Sequence, residues 1–464
     1  MRLASLLGPD IKQILKEDPE ALRELLDDIH AEDLADIISE LEPDEAAELL
    51  ARIPAEDAAP IFERLEEHEQ EELVDQMPPE SVAEIASEMS ADNRADLFSV
   101  LPQAMGDQVF EALQRVDPEA AQEVREIEKW PDTSAGHLMT PDFVSVTPRM
   151  HVSEAFEIVK KRARDRDEFV YTVYVLEQDR LAGVASLRDL IIADPEQQIA
   201  EIMRSNVISV PPTMDQEEVA RRMAKYDLNV MPVVGDDGKV LGVITIDDVI
   251  DVLVQEQTED VQRIGGIEPL DVPYFQTSIL TFIRKRAGWL IVLFIEEFFT
   301  QTALRHYDPV MEAVKGALLY VPLLISAGGN SGSQSSTLVI RGLALGEVKL
   351  SDWWRILMRE SFMGLVLGVI IAVIAMGRVM MYPDQSFLFA LTVGLTVLCI
   401  IASGCTVGSM LPIILKRLGI DPATSSTPFI ASLVDTLGVI IYAHVAMAVM
   451  KDVIAEHLAH AVVP

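Results

Sequence analysis

Between Ser386 and Leu415, thirty consecutive residues carry no charged side chain. In hydrocarbon the backbone must satisfy its own hydrogen bonds, so such a run reads as one helix, long enough to cross a bilayer and to bend or tilt. Residues 287–304, 314–340, 361–380 and 428–450 read as four more spans. The expected fold of residues 271–464 is therefore an all-α polytopic membrane domain with five transmembrane helices. Arg284-Lys285-Arg286, then Arg341, Lys349, Arg355 and Arg359, then Lys416-Arg417 fall in alternate connections, while the others hold Arg305 and Arg378. The positive-inside rule puts the richer connections and the N-terminus in the cytoplasm, and five spans put the C-terminus outside the inner (plasma) membrane.

The rest of the chain has the opposite chemistry. Residues 1–270 hold 62 acidic and 24 basic side chains, against 13 of each in residues 271–464, so the whole formal charge of −38 lies in the first part. Such a surface repels nucleic acid, whose recognition needs Lys and Arg, and suits cations. On charge alone it is a solvated acidic face. The two cysteines, Cys399 and Cys405, sit in one apolar run and read as small buried residues. The N-terminus lacks the apolar core and cleavage site of a signal peptide.

Residues 31–114 repeat every twelve residues, from "AEDLADIISELE" and "PDEAAELLARIP" to "QAMGDQVFEALQ". The seventh position is always aliphatic (Ile37, Leu49, Ile61, Leu73, Ile85, Leu97, Val109), and the eighth and eleventh are apolar. That spacing marks one face of a short helix, with Pro43, Pro54, Pro78, Pro79 and Pro102 at the joints. Residues 1–130 are thus expected to form an acidic α-helical superhelical repeat domain, each helix burying its stripe on its neighbours.

A duplicated unit follows. "HLMTPDFVSVTPRMHVSEA" (137–155) matches "EIMRSNVISVPPTMDQEEV" (201–219), and each half runs on to a strand-turn-helix. Gly183, Ser186 and Asp189 form G-x-x-S-x-x-D, and Gly242, Thr245 and Asp248 form G-x-x-T-x-x-D. This resembles a tandem α/β pair of cystathionine-β-synthase (CBS) domains, here 131–200 and 201–246. The resemblance implies adenine-nucleotide binding between the halves, with the final Asp of the motif, Asp189 or Asp248, near ribose hydroxyls; Arg188 and Tyr171 are the candidates beside Asp189. Read locally, each Asp caps the helix that follows. At Asp248 the acidic neighbours Asp247 and Asp251 favour the cap over a phosphate. Residues 247–270 form a connecting helix with an apolar stripe, an acidic remainder and a Gly265-Gly266 stop.

Within the membrane part, "SAGGNSGSQSST" (326–337) has no bulky side chain, which allows close packing or the wall of a water-filled path. Asp435 lies in the middle of the fifth span, with Ser432 and Gly438 on its side of the helix. A carboxylate there is a functional-site hypothesis by default, set against an interhelical hydrogen bond or a neutralised packing residue. Asp435, Asn330, Ser432 and Gly438 are the pore-lining candidates. No phosphate loop, metal-hydrolase cluster or nucleophile elbow occurs, and His137, His151 and His444 are scattered, so no enzyme is expected.

Taken together, the order of parts and the stretches "YVPLLISAGGNSGSQSSTLVIRGLA", "LPIILKRLGIDPA" and "PFIASLVDTLGVIIY" resemble the MgtE-type magnesium channels over the whole chain. The resemblance implies a homodimer with one pore on its two-fold axis. It implies Mg2+ selection at Asp435, Glu312 as an outer ion contact, and closure by cytoplasmic Mg2+. The sensing carboxylates it implies are Asp92, Asp96, Asp215, Glu217, Asp227, Asp248, Asp251, Glu256, Glu259 and Asp260, with ATP as the candidate nucleotide at the CBS pair. Glu296-Glu297 in the first span departs from the family pattern. Two other readings stay open: a transporter of another divalent ion such as Co2+ or Mn2+, since all accept carboxylate oxygen, and a membrane-anchored nucleotide sensor.

Overall fold

In the computed structural model, which describes residues 29–165, 171–270, 272 and 274–461, the twelve-residue period returns as helices that begin at 31, 43, 55, 67, 79, 91 and 103. These are α1 (Ala31–Ile38), α2 (Pro43–Leu50), α3 (Ala55–Phe62), α4 (Glu67–Gln76), α5 (Pro79–Glu88), α6 (Ala91–Val100) and α7 (Gln103–Val116), followed by α8 (Pro118–Ile127). Residues 1–28 of the expected repeat domain lie outside the described residues. Pro43, Pro79 and Pro118 open their helices, where the missing N–H has no intrahelical partner to lose. The seventh-position residues are buried, except for half-buried Leu49. The sequence predicts packing on neighbours, but the main partner is the next helix but one, from α1 on α3 to α6 on α8. Arg94 is fully buried at the centre. Its guanidinium donates to the carbonyls of Ala86 and Met89 (both 2.6 Å) and pairs with Glu123 at 2.8 Å. It thereby satisfies orphan carbonyls at the end of α5.

The duplicated unit forms two small sheets. Strand β1 (Val144–Val146) runs parallel to β2 (Thr172–Glu177), which pairs antiparallel with β3 (Arg180–Ser186), and α9 (Val152–Asp165) covers one face. After α10 (Leu187–Ile192), α11 (Ile199–Ile202) and α12 (Gln216–Tyr226), β4 (Val230–Val234) pairs antiparallel with β5 (Val240–Thr245). The halves exchange edges, Thr140 bridging Val243 while Arg204 bridges Val184. This explains the motif glycines. A Cβ on Gly242 would lie 2.6 Å from the Thr140 carbonyl, and one on Gly183 would lie 3.0 Å from that of Arg204. Helix α13 (Ile246–Ile264) leaves the second half without a break.

The chain divides into two compact units between Val254 and Gln255, within α13. The second unit is helical: α14 (Ile279–Ala313), α15 (Ala317–Ala344), α16 (Trp353–Met380), α17 (Phe387–Arg417), α18 (Thr427–Val449) and α19 (Lys451–Ala461). Helices α14, α16, α17 and α18 are long and apolar enough to cross a membrane. Helix α15 has the length, at 28 residues, but the Ser- and Gly-rich middle keeps it out of that set. The first and third helices start earlier than the predicted 287 and 361, so Arg284-Lys285-Arg286, Arg355 and Arg359 lie inside helices rather than before them. Core contacts centre on α17, which packs against α15, α16 and α18. Backbones touch where α15 crosses α17: a Cβ on Gly408 would come within 2.1 Å of the Gly332 carbonyl. Glycines four apart on both helices (Gly328 and Gly332, Gly404 and Gly408) make that crossing possible.

Candidate ion pathway and cation-sensing carboxylates

In the first unit, two helix starts bring carboxylates together. Asp92 lies in the first turn of α6 and Asp248 in the first turn of α13. The Asp248 carboxylate accepts from the Thr245 hydroxyl and from its N–H, at 3.4 Å, so it does cap its helix. Asp92 is 8% exposed, and its Oδ1 is buried with no hydrogen-bond partner. Burial raises the Asp248 pKa to about 8, with the negative charges of Asp92 and Asp247 adding to the effect. Burial likewise raises Asp92 to about 6, reinforced by Asp96 and Glu63. Glu63 accepts from the Ser90 N–H at 2.5 Å and is itself raised by burial. Asp96, one turn beyond Asp92, meets His137 Nε2 at 3.0 Å, and that contact is the main reason the His137 pKa is raised. Among the described residues, neither Asp92 nor Asp248 has an ion-pair partner. Buried hard-oxygen donors with an orphaned atom and mutual repulsion suit a hard divalent cation.

The other predicted sensing residues of this unit have local roles. Asp215 caps α12, accepting from the Glu217 N–H at 3.0 Å, and Glu217 pairs with Arg221 at 2.5 Å. Asp227 ends α12 in the left-handed region, with φ of 50°. Asp251 lies on α13, and its pKa is raised by partial desolvation, then by the charges of Asp247 and Glu32. Glu63, which sequence reasoning did not name, and Asp247, which it named only as a neighbour of Asp248, stand closer to the Asp92–Asp248 pair in charge than these do. Among the described residues no group of three or more His, Cys, Asp or Glu forms a ready-made metal cage.

At the CBS half-motif, Asp189 and Ser186 form a reciprocal cap: the Ser186 hydroxyl donates to Asp189 at 2.7 Å, and the Asp189 N–H donates back at 3.1 Å. That hydrogen bonding holds the Asp189 pKa below its usual value. The Leu187 N–H donates to the Tyr171 carbonyl at 3.0 Å, so Tyr171, exposed Arg188 and Asp189 share one end of the sheet.

In the second unit, Glu256, Glu259 and Asp260 fall on one face of α13. Glu259 pairs with Arg263 at 2.8 Å, and Arg263 also pairs with Asp421 in the α17–α18 connection. Asp435 is half-buried midway along α18. It lies over the small-residue stretch of α15, where a Cβ on Gly329 would come within 3.6 Å of Asp435 Oδ1. Helix α14 flanks it, as the 2.7 Å contact between the Thr300 and Thr436 hydroxyls shows. Glu297 is close enough for its charge to act on Asp435, and Glu296 Oε2 is buried with no hydrogen-bond partner. The unexplained acidic pair of α14 therefore stands beside Asp435.

The remaining candidates scatter. Ser432 is buried, and exposed Asn330 has only a 3.5 Å contact with the Ser326 hydroxyl. Gly438 is buried, and a Cβ built on it would lie 3.4 Å from Ile325 and 3.5 Å from Ile400. Glu312 is exposed at the end of α14. Sequence reasoning also missed Glu360, a carboxylate buried in α16 that accepts from the Ser335 hydroxyl of α15 at 2.7 Å.

Family models match along the chain: an MgtE intracellular N domain over residues 29–133, CBS domains over 135–196 and 199–255, and an MgtE divalent cation transporter over 321–445. The magnesium transporter MgtE of Thermus thermophilus is 40% identical over 338 residues, covering 73% of this chain and 75% of that protein. That of Enterococcus faecalis is 34% identical, covering 72% and 73%. A crystal structure of the soluble part of a magnesium transporter is 32% identical, covers 55% of this chain and 99% of the other, and aligns with a TM-score of 0.51. With an acidic helical repeat, a CBS pair and an apolar helical unit in the same order, this membrane protein belongs to the MgtE family of magnesium transporters.

Proposed function

We propose that the protein carries Mg2+ into the cell through a pore at Asp435, as a homodimer of five-span subunits, and that cytoplasmic Mg2+ closes it. The observation that carries this reading is Asp435 itself: half-buried mid-helix, over the smallest side chains of α15, with the Glu297 charge beside it. Packing alone needs no carboxylate there. Mg2+ dehydrates reluctantly, so two Asp435 carboxylates across a two-fold axis would attract the hydrated ion through its water shell. Glu297 deepens the same negative field.

Closure draws on the first unit and on α13. Without a cation, Asp92, Asp248 and their acidic neighbours repel. Mg2+ among them relieves that repulsion and favours the compact arrangement, which α13 passes to the membrane unit. The carboxylates of Asp96, Asp215, Glu217, Asp227, Asp251, Glu256, Glu259 and Asp260 extend the acidic surface that responds. Tyr171, Arg188 and Asp189 are the proposed contacts of ATP at the CBS pair, where Asp189 would serve both its cap and ribose hydroxyls. Uptake by the purified protein in liposomes, for Mg2+, Co2+ and Mn2+ in parallel, tests the reading. Mg2+ uptake that Asp435→Ala abolishes is expected, and equal uptake by the variant sinks the pore assignment.

A further inference from the structure

The end of the connecting helix is tied to the foot of α18 and the turn before it at two points, and α14 adds a third contact beside them. Arg263 pairs with Asp421, which also caps the short turn Pro422–Thr424 by accepting from the Ala423 N–H at 2.9 Å. The Thr427 hydroxyl donates to the Ile264 carbonyl, the last residue of α13, at 3.2 Å. Trp289 of α14 donates from its indole to the Ser426 hydroxyl at 2.9 Å, and Ser426 is the N-cap of α18. Gly266, at φ +74°, turns the chain sharply under Trp289, where a Cβ would come within 2.7 Å of the ring. These contacts leave α13 little freedom to move without moving the start of α18, and Asp435 lies eight residues, about 12 Å, further along that helix.

Arg263 is the charged member of this joint and has two carboxylate partners, Glu259 on its own helix and Asp421 on the connection. Both side chains of the Arg263–Asp421 pair are 34% exposed. A partly shielded guanidinium shared between two acids holds each less strongly than it would hold one alone. Withdrawing Glu259 to a cation therefore tightens the grip on Asp421. We propose that Arg263 is the positioning residue that couples the connecting helix to the pore helix, through competition between Glu259 and Asp421 for its guanidinium. The inference rests on the reading of Asp435 as the pore residue and adds the link by which cation binding reaches it.

The test uses the full chain in liposomes, with Mg2+ flux followed as cytoplasmic-side Mg2+ is raised. Arg263→Gln and Asp421→Asn should each raise the half-closing Mg2+ concentration by about fivefold or more, the lower end of ordinary allosteric coupling. Flux at low Mg2+ should be unchanged, the double variant should shift no further than either single one, and Arg263→Lys should restore most of the response. Asp421→Asn keeps an acceptor for the cap, so it decides the matter even if Arg263→Gln fails to fold. An unchanged half-closing concentration in Asp421→Asn, or additive shifts in the double variant, overturns the coupling. If the wild type neither conducts Mg2+ nor closes with it, the function itself falls, and this inference with it.

Discussion

Asp92 with Asp248, and Asp435 with Glu297, are both carboxylates held together against their own repulsion, and the two groups are built in opposite ways. The soluble pair is enclosed. Its members sit in the first turns of two helices, Asp248 is tied down by Thr245, and Asp92 is almost without solvent contact. The membrane pair is only half enclosed, with Glu297 exposed and Asp435 facing glycine rather than a donor. On the proposed reading, an enclosed pair would hold a cation and change shape when it leaves, while a half-enclosed pair on small-residue backbone would attract a cation and let it go. One ion would then be cargo at one site and signal at the other, with burial deciding the role.

The comparison can be broken at its strongest point first. Asp435→Ala should reduce Mg2+ flux by about a hundredfold or more, since one removed charge at a desolvated site is worth several kcal/mol. Liposome uptake reads this directly. Asp248→Asn should leave flux at low Mg2+ intact but raise the half-closing concentration about tenfold. Reduced flux without that shift would mean the soluble pair supports folding rather than sensing.

The pH dependence of the Mg2+-free protein sharpens the same contrast. The Asp248 pKa is raised to about 8 from its ordinary value of 3.8, so the folded form keeps a proton that the unfolded chain has lost. Its contribution to stability is complete below about pH 3.8 and is lost as pH rises through about 8. Asp248→Asn should flatten that fall and, at pH 8, stabilise the Mg2+-free first unit by about 2 kcal/mol, a few degrees in Tm. Thermal melts between pH 5 and 8 in chelator check this. The smallest effect is expected at Glu297→Gln, which should lower flux about threefold at low ionic strength and less at high salt, as for a partly screened charge. A salt-independent effect would point to packing.

Much of this is legible in the sequence. The twelve-residue period set the first residue of seven helices, because a fixed apolar spacing and prolines at the joints leave little choice of register. It could not say which helix packs on which, since next-but-one contacts depend on angles that the pattern does not encode. The G-x-x-S-x-x-D motifs marked the caps correctly, but their glycines are explained only by the exchanged edges at Thr140 and Arg204. In the membrane unit, Asp435 stood out by its cost. The glycines four apart at 404 and 408 were visible and unread, though that spacing is a known sign of close helix contact. Periodicity puts Gly438 on the Asp435 side of the helix, and only the packing shows that Ile325 and Ile400 border it. Glu63 has no signal of its own in the repeat and joins the Asp92 group only through the packing of distant helices.

The most direct measurement is Mg2+ flux through the reconstituted full chain as cytoplasmic-side Mg2+ rises from micromolar to millimolar, for the wild type beside Asp248→Asn. Flux that shuts down in the wild type and persists in the variant, with equal flux at the low end, is the predicted result. Identical closure of the two would contradict the claim that the enclosed carboxylates sense the ion that the half-enclosed ones pass.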